Sequence, residues 1–430
     1  MTTTEAQTQP SHYMMSMLII GVLFFIFGFV TWLNGPLITF AKLAFQVPDT
    51  YAFLVPSAFY LSYFFLALPS SAVLKRTGMK RGMALGLFVM AIGAAIFSQF
   101  APMRIYAGVL TGLFVLGAGL ALLQTAANPY ISILGPIESA AQRIAVMGIC
   151  NKGAGAIAPW VIGYLVLRGI DKIDVQVKAA ATPAARDAIL NGFAAHVRWP
   201  YLAMAAILIV LAIWVIRSSL PEIRATGANR ETTDAHGSLW RIPHFWLGVL
   251  CLFLYVGVEV MAGDAIGTYG QGFGLPLGET AHFTFLTMLA MLIGYALGFI
   301  VTPRYVSQER YMAASAILGV VLTTAAYLTS GFTSVLFVAT LGFANAMMWP
   351  AIFPLAIRGL GRHTEIGSGI LIMAIAGGAI IPQLFVHLKL HINFQLAFMV
   401  LMVPCYLYIL YYALHGHRAG LDARAAVTTT

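Results

Sequence analysis

The stretch YAGVLTGLFVLGAGLALLQ, Tyr106–Gln124, runs nineteen residues without a charge. A helix needs about 20 mostly apolar residues to cross the hydrocarbon of a bilayer. Met15–Phe29, Tyr51–Val73, Met83–Phe97 and, near the other end of the chain, Leu401–Leu414 read the same way. With short polar breaks as boundaries, the 430 residues divide into twelve such spans. Composition agrees: 60% of the residues are hydrophobic, 9% are charged and the mean hydropathy is +0.86, whereas a soluble chain carries about 25% charged residues. The fold class expected is an all-α membrane protein with twelve transmembrane helices, and a soluble protein is excluded.

The net charge of +9 raises the question of an acidic partner, and position answers it. With both termini placed in the cytoplasm, fifteen Lys and Arg fall in inside segments, among them Lys75, Arg76, Lys80 and Arg81. Seven fall outside, five of them in one long loop between spans five and six, and Lys42 and Lys152 are left within spans. Long translocated segments weigh little in the positive-inside rule, so the chain is expected to keep both ends in the cytoplasm. The partners expected are the bilayer and a small molecule, not nucleic acid, and the assembly expected is a monomer. Residues 1–14 hold no Lys or Arg and do not read as a cleavable signal, so the first span is expected to be retained. Cys150, Cys251 and Cys405 sit apart in apolar spans and read as small buried hydrophobes; no metal spacing and no disulfide framework is present.

Domain boundaries follow from polarity. Residues 1–14 form a tail, 15–216 a six-span half, 217–243 a cytoplasmic linker, 244–414 a second six-span half and 415–430 a second tail. The linker carries Pro221, Glu222, Arg224, Arg230, Glu231 and Asp234. A second polar stretch, Arg168–Arg198, reads as an outside loop with some amphipathic helix. Patterns recur across the divide: Gly155-Ala-Ile-Ala-Pro159 returns as Gly378-Ala-Ile-Ile-Pro382, Pro129-Tyr-Ile as Pro350-Ala-Ile, and Phe25-Ile-Phe-Gly28 loosely as Leu254-Tyr-Val-Gly257, at offsets of 223, 221 and 229. Each is weak alone; three near one offset fit the parallel two-half repeat of facilitator transporters, pseudo-twofold halves with a site between them at mid-membrane. The basic turn Leu74–Arg81 partly matches that fold's signature loop but lacks its aspartate.

Polar groups inside spans are costly and mark cavities or partners. Span one has Thr31 and Asn34, three apart and so on one helical face; span four has Gln124 and Asn128; span five has Asn151 and Lys152; span seven has Glu259 and Asp264; span ten has Asn345 beside Trp349. Amides and carboxylates suit sugar hydroxyls, which both donate and accept, and Trp32, Tyr255 and Trp349 could stack on the apolar face of a pyranose. The competing reading for Asn34, Gln124 and Asn128 is helix–helix hydrogen bonding, which is preferred for Gln383 and His387. Trp160 and Trp246 read as interfacial anchors. Glu259 and Asp264 stand about 140° apart on an ideal helix, so both reach one cavity only if the helix breaks between them. Glu259 is the deeper, and Asp264 could be a vestibule charge touching water. Lys152, mid-span, demands a carboxylate partner or a wet cavity.

These residues amount to a resemblance. Phe24-Phe-Ile-Phe-Gly-Phe-Val-Thr-Trp-Leu-Asn34, Gln124-Thr-Ala-Ala-Asn-Pro-Tyr-Ile-Ser-Ile-Leu-Gly-Pro136 with Arg143 and Asn151 after it, and Phe253-Leu-Tyr-Val-Gly-Val-Glu259 resemble the fucose–galactose–glucose proton symporter family of the major facilitator superfamily, over about residues 15 to 414. Met261-Ala-Gly-Asp264 and Gly148-Ile-Cys-Asn-Lys152 look most like its N-acetylglucosamine transporters, whose relatives carry glucose and galactose. Fucose permeases have an aspartate where this chain has Gly35 and a glutamate where it has Gln124, so both carboxylates linked to proton coupling in that branch are missing. At the repeat offset of 229, Gly35 maps onto Asp264, which could replace one of them from the other half. The resemblance implies a cation-coupled sugar symporter of the bacterial inner membrane, not an enzyme, with no cofactor beyond a co-transported proton or, in the alternative, sodium. The substrate-binding set expected is Trp32, Asn34, Gln124, Asn128, Asn151, Tyr255, Asn345 and Trp349, and the coupling set is Lys152, Glu259 and Asp264, with Glu259 favoured for its depth. A sodium-coupled glucose/galactose carrier and, less well supported, an exporter of the same fold are the alternatives.

Overall fold

The computed structural model describes residues 10–134, 140–222, 238–302 and 304–420. Residues 1–9 and 421–430 of the tails, most of the linker with Arg224, Arg230, Glu231 and Asp234, and Gly135 and Pro136 of the span-four motif lie outside the described residues. Among the described residues, twelve helices are long and apolar enough to cross a membrane, from Tyr13–Phe45 to Phe394–Leu414. Because their number is even, residues 10 and 420 lie on one face, called the terminal face here; the opposite face is the far face. The polar stretch before span six is helical, Ile170–Ala179 and Pro183–Ala195, the second capped by Thr182 with Pro183 in its first turn.

Spans within each half pack side by side, and the halves meet where span two packs on span eleven and span five on span eight. Glycine sets the closest approaches. A Cβ on Gly28 of span one would stand 1.8 Å from the Asn151 carbonyl oxygen of span five, and a Cβ on Gly377 of span eleven 1.8 Å from that of Phe253 in span seven. The same pairing of first and fifth spans recurs in both halves, and small residues are what let helix backbones touch in a membrane.

Among the described residues three spans break at mid-depth, and span eleven tightens into a 3-10 turn over Ala374–Ala376. Span one stops at Thr31 and restarts at Asn34; span ten stops at Asn345 and restarts at Met348. In both, the third residue of the new piece is proline, Pro36 or Pro350. Proline has no N–H for the carbonyl four residues back, so it tolerates a first turn and breaks an interior one. Span seven stops at Gly263 and restarts at Ile266, with Asp264 in the gap. The carbonyls near this gap are taken up from span eight: Thr287 donates to Ala262 (2.7 Å) and Thr284 to Gly263 (2.8 Å). Unpaired backbone at this depth is otherwise prohibitive. Span four, by contrast, is one continuous helix over Tyr106–Ile133.

Candidate functional site

The interruptions of spans one and seven meet at the boundary between the halves. Gly35 faces Asp264: a Cβ on Gly35 would lie 3.4 Å from Asp264 Oδ1 and 2.5 Å from Thr284 Oγ1. Trp32, only 1% exposed, is wedged between two glycines, Gly155 of its own half and Gly263 of the other, which a Cβ would bring to 2.4 and 2.2 Å of its ring.

On the terminal side of this contact lies a cavity. Thr31 and Trp32 line it from span one, Tyr60 and Tyr63 from span two, Gln124 and Asn128 from span four, Asn151 and Lys152 from span five, Tyr255 and Glu259 from span seven, Tyr295 from span eight, and Trp349 from span ten. Lys152 Nζ lies 2.8 Å from Glu259 Oε1 and 4.7 Å from the centre of the Trp32 ring. This ion pair crosses the two halves with side chains 9% and 12% exposed. Opposite charges so close to each other repay part of the cost of leaving bulk water, and the ring face adds to the attraction of the ammonium. Asn151 Nδ2 reaches the Phe24 carbonyl at a long 3.4 Å, leaving the oxygen of its amide available.

Asn34 and Asn345, expected along the cavity, stand outside it. The Asn34 amide donates to the Thr31 carbonyl across the break (3.0 Å), which also removes the shared helical face expected for these two residues. Asn345 accepts from the Tyr406 hydroxyl (2.9 Å) and is fully buried between spans ten and twelve. Asp264 is no vestibule charge either. It is 2% exposed, Tyr60 donates to its Oδ2 (3.2 Å), its Oδ1 faces Gly35 without a well-formed hydrogen bond, and among the described residues no cation pairs with it. Gln383 donates to the Thr50 carbonyl (2.9 Å). Trp160, half exposed, stacks on His282, and Trp246 on Trp240.

Tyr60, Tyr63 and Tyr295 were not among the residues expected from the sequence, where polar groups in spans one, four, five, seven, ten and eleven and the aromatics Trp32, Tyr255 and Trp349 stood out. Tyr60 and Tyr63, three apart in an apolar span, carried the usable signal.

The far face is tied shut between the halves. Asp49 at the head of span two receives Lys42 (2.5 Å) and, from the second half, Lys389. Lys42 also donates to Gln271 Oε1 (2.5 Å) at the end of span seven, and Asp171 accepts from the Gly278 amide (3.0 Å).

Comparison with known proteins agrees with this architecture. Residues 20–382 match the profile of the Major Facilitator Superfamily. The chain is 35% identical over 419 residues to a glucose/galactose transporter of Brucella abortus biovar 1 (strain 9-941), covering 97% of each. It is 29% identical over 380 residues to the L-fucose-proton symporter of Escherichia coli (strain K12), covering 87% of this chain and 86% of that one. Among solved structures it is similar to FucP, a transporter of the same superfamily, in the outward conformation, with a TM-score of 0.72, 26% identity, and coverage of 94% and 99%.

Proposed function

The chain belongs to the major facilitator superfamily, and from that premise we propose that it is a proton-coupled sugar symporter importing N-acetylglucosamine first, glucose and galactose next, and fucose poorly. The observation that carries the reading is the cavity between the halves. It combines the amides of Gln124, Asn128 and Asn151, which match hydroxyls that donate and accept, with the broad aromatic faces of Tyr255 and Trp349. Relatives with nearly full-length similarity bear the names of sugar transporters. The Lys152–Glu259 pair adds a donor and an acceptor able to turn toward an acetamido group.

The proton is assigned to Asp264, not to Glu259 as depth alone suggested. Glu259 already has its counter-charge in Lys152, and moving that pair together moves no net charge. Asp264 has none among the described residues, and a bare carboxylate held in the low-dielectric boundary between the halves is costly, so it is occluded most cheaply with its proton. With the terminal face in the cytoplasm, the shut far face is the outer one, and this conformation opens inward, the counterpart of the outward relative.

Competition against labelled N-acetylglucosamine uptake into proteoliposomes tests the substrate assignment. Unlabelled N-acetylglucosamine is expected to compete best and fucose at least tenfold worse; equal competition by the two refutes it.

A further inference from the structure

Asp264 does not line the cavity; Tyr60 does, and Tyr60 alone among the described residues both lines it and hydrogen-bonds Asp264. The two come from different halves, span two and span seven, so their 3.2 Å contact exists only while the halves are closed on each other at mid-depth. Around the carboxyl, span one offers the Gly35 backbone and span eight the Thr284 hydroxyl, which is spent on the Gly263 carbonyl. On its own span Glu259 is nearest in charge, held by Lys152 from span five. No other titratable side chain touches Asp264 among the described residues.

We infer that the Tyr60 hydroxyl is the relay through which Asp264 exchanges its proton with water in the cavity, a positioning and transfer role that rests on the assignment of the proton to Asp264. The step balances without another reactant. The protonated carboxyl passes its hydrogen to the phenol oxygen as the phenol hydrogen passes to a cavity water. The phenol stays neutral, now donating to a carboxylate, and one proton has left the site. Because Tyr60 and Asp264 sit on opposite halves, separation of the halves breaks the relay, so the proton is released on the side the cavity faces and cannot leak to the other.

The test compares Tyr60→Phe with Asp264→Asn in proteoliposomes, reading the ratio of pH-gradient-driven uptake to equal-pH sugar exchange on the same preparation. Tyr60→Phe is expected to lower that ratio at least tenfold and to flatten the pH dependence of net uptake. A merely structural or sugar-contacting tyrosine would slow both modes together and leave the ratio at the wild-type value, which overturns the inference. Should Tyr60→Phe abolish exchange as well, Tyr60→His decides: a ring that can both accept and donate a proton restores driven uptake if Tyr60 is a relay, and failure to restore it in a variant that still exchanges sugar overturns the proposal. If Asp264→Asn itself keeps the wild-type ratio, the assignment to Asp264 fails and the relay with it; a lowered ratio in Asp264→Asn beside an unchanged one in Tyr60→Phe sinks the relay alone.

Discussion

Gln124 and Asn151 present amides to the cavity from two adjacent spans of the first half, and under the proposed sugar-binding role truncating either would leave hydroxyls unpaired. Each alanine variant is expected to lose about 1–3 kcal/mol of binding, roughly five- to 150-fold in affinity, with unchanged insertion; isothermal titration with N-acetylglucosamine reads it, and native affinity would move that residue to a packing role. Glu259→Gln is expected to lower stability by about 3–5 kcal/mol because Lys152 is left without its counter-charge. Pairing it with Lys152→Met should recover most of the loss in thermal unfolding of the detergent-solubilised protein. A melting temperature unaffected by Glu259→Gln would contradict the ion pair. At this scale the sequence was legible where a polar group had to answer for its cost: Lys152 demanded a carboxylate, although only the structure selects Glu259 over Asp264. It was misleading where a local bond competes. Asn34 looked like a cavity amide because helical spacing was extended through a break, and at the break its side chain turns back on Thr31.

The interrupted spans show which element features sequence carries. The breaks at Gly35-Pro36 and Trp349-Pro350 have a local cause in proline, yet Pro69, Pro159 and Pro404 sit inside continuous helices, so proline alone does not single these places out in the sequence. The gap at Asp264 is flanked by Gly257, Gly263, Gly267 and Gly270, which make a break plausible, but glycine is too common in this chain, at 41 residues, to mark one place. The repeat Gly28/Gly257 was read as a loose motif and gains a physical basis in the close approach of first and fifth spans. Gly28→Ala is expected to destabilise by about 1–3 kcal/mol because its methyl meets backbone, not a side chain that can swing away. Gly153→Ala, where a Cβ meets nothing within 4 Å, should cost nothing. Equal melting temperatures for the two variants would contradict the packing described.

Over the whole molecule, twelve spans and two halves were readable because hydrocarbon thickness and repeat period act over long stretches. The conformation was not, since alternative states of one sequence differ by contacts between distant ends. Here those contacts are the far-face pairs centred on Asp49. Asp49→Asn leaves Lys42 and Lys389 near one another, and a loss of about 1 kcal/mol opens the far face about fivefold more often. A single cysteine at Ser57, buried between the halves, placed in a chain without its three native thiols, should react about fivefold faster with a membrane-impermeant maleimide added on that face; an unchanged rate would show that Asp49 does not hold the closure. Alternating opening matters because a coupled carrier must move sugar and proton in one passage. The most direct measurement is sugar accumulation by wild-type and Asp264→Asn proteoliposomes on an imposed pH gradient, with sodium varied independently and counterflow read in parallel. The wild type is expected to concentrate N-acetylglucosamine on a proton gradient without sodium, whereas Asp264→Asn exchanges the sugar but does not concentrate it. Accumulation by Asp264→Asn at the wild-type rate, or uptake driven by sodium alone, would contradict it.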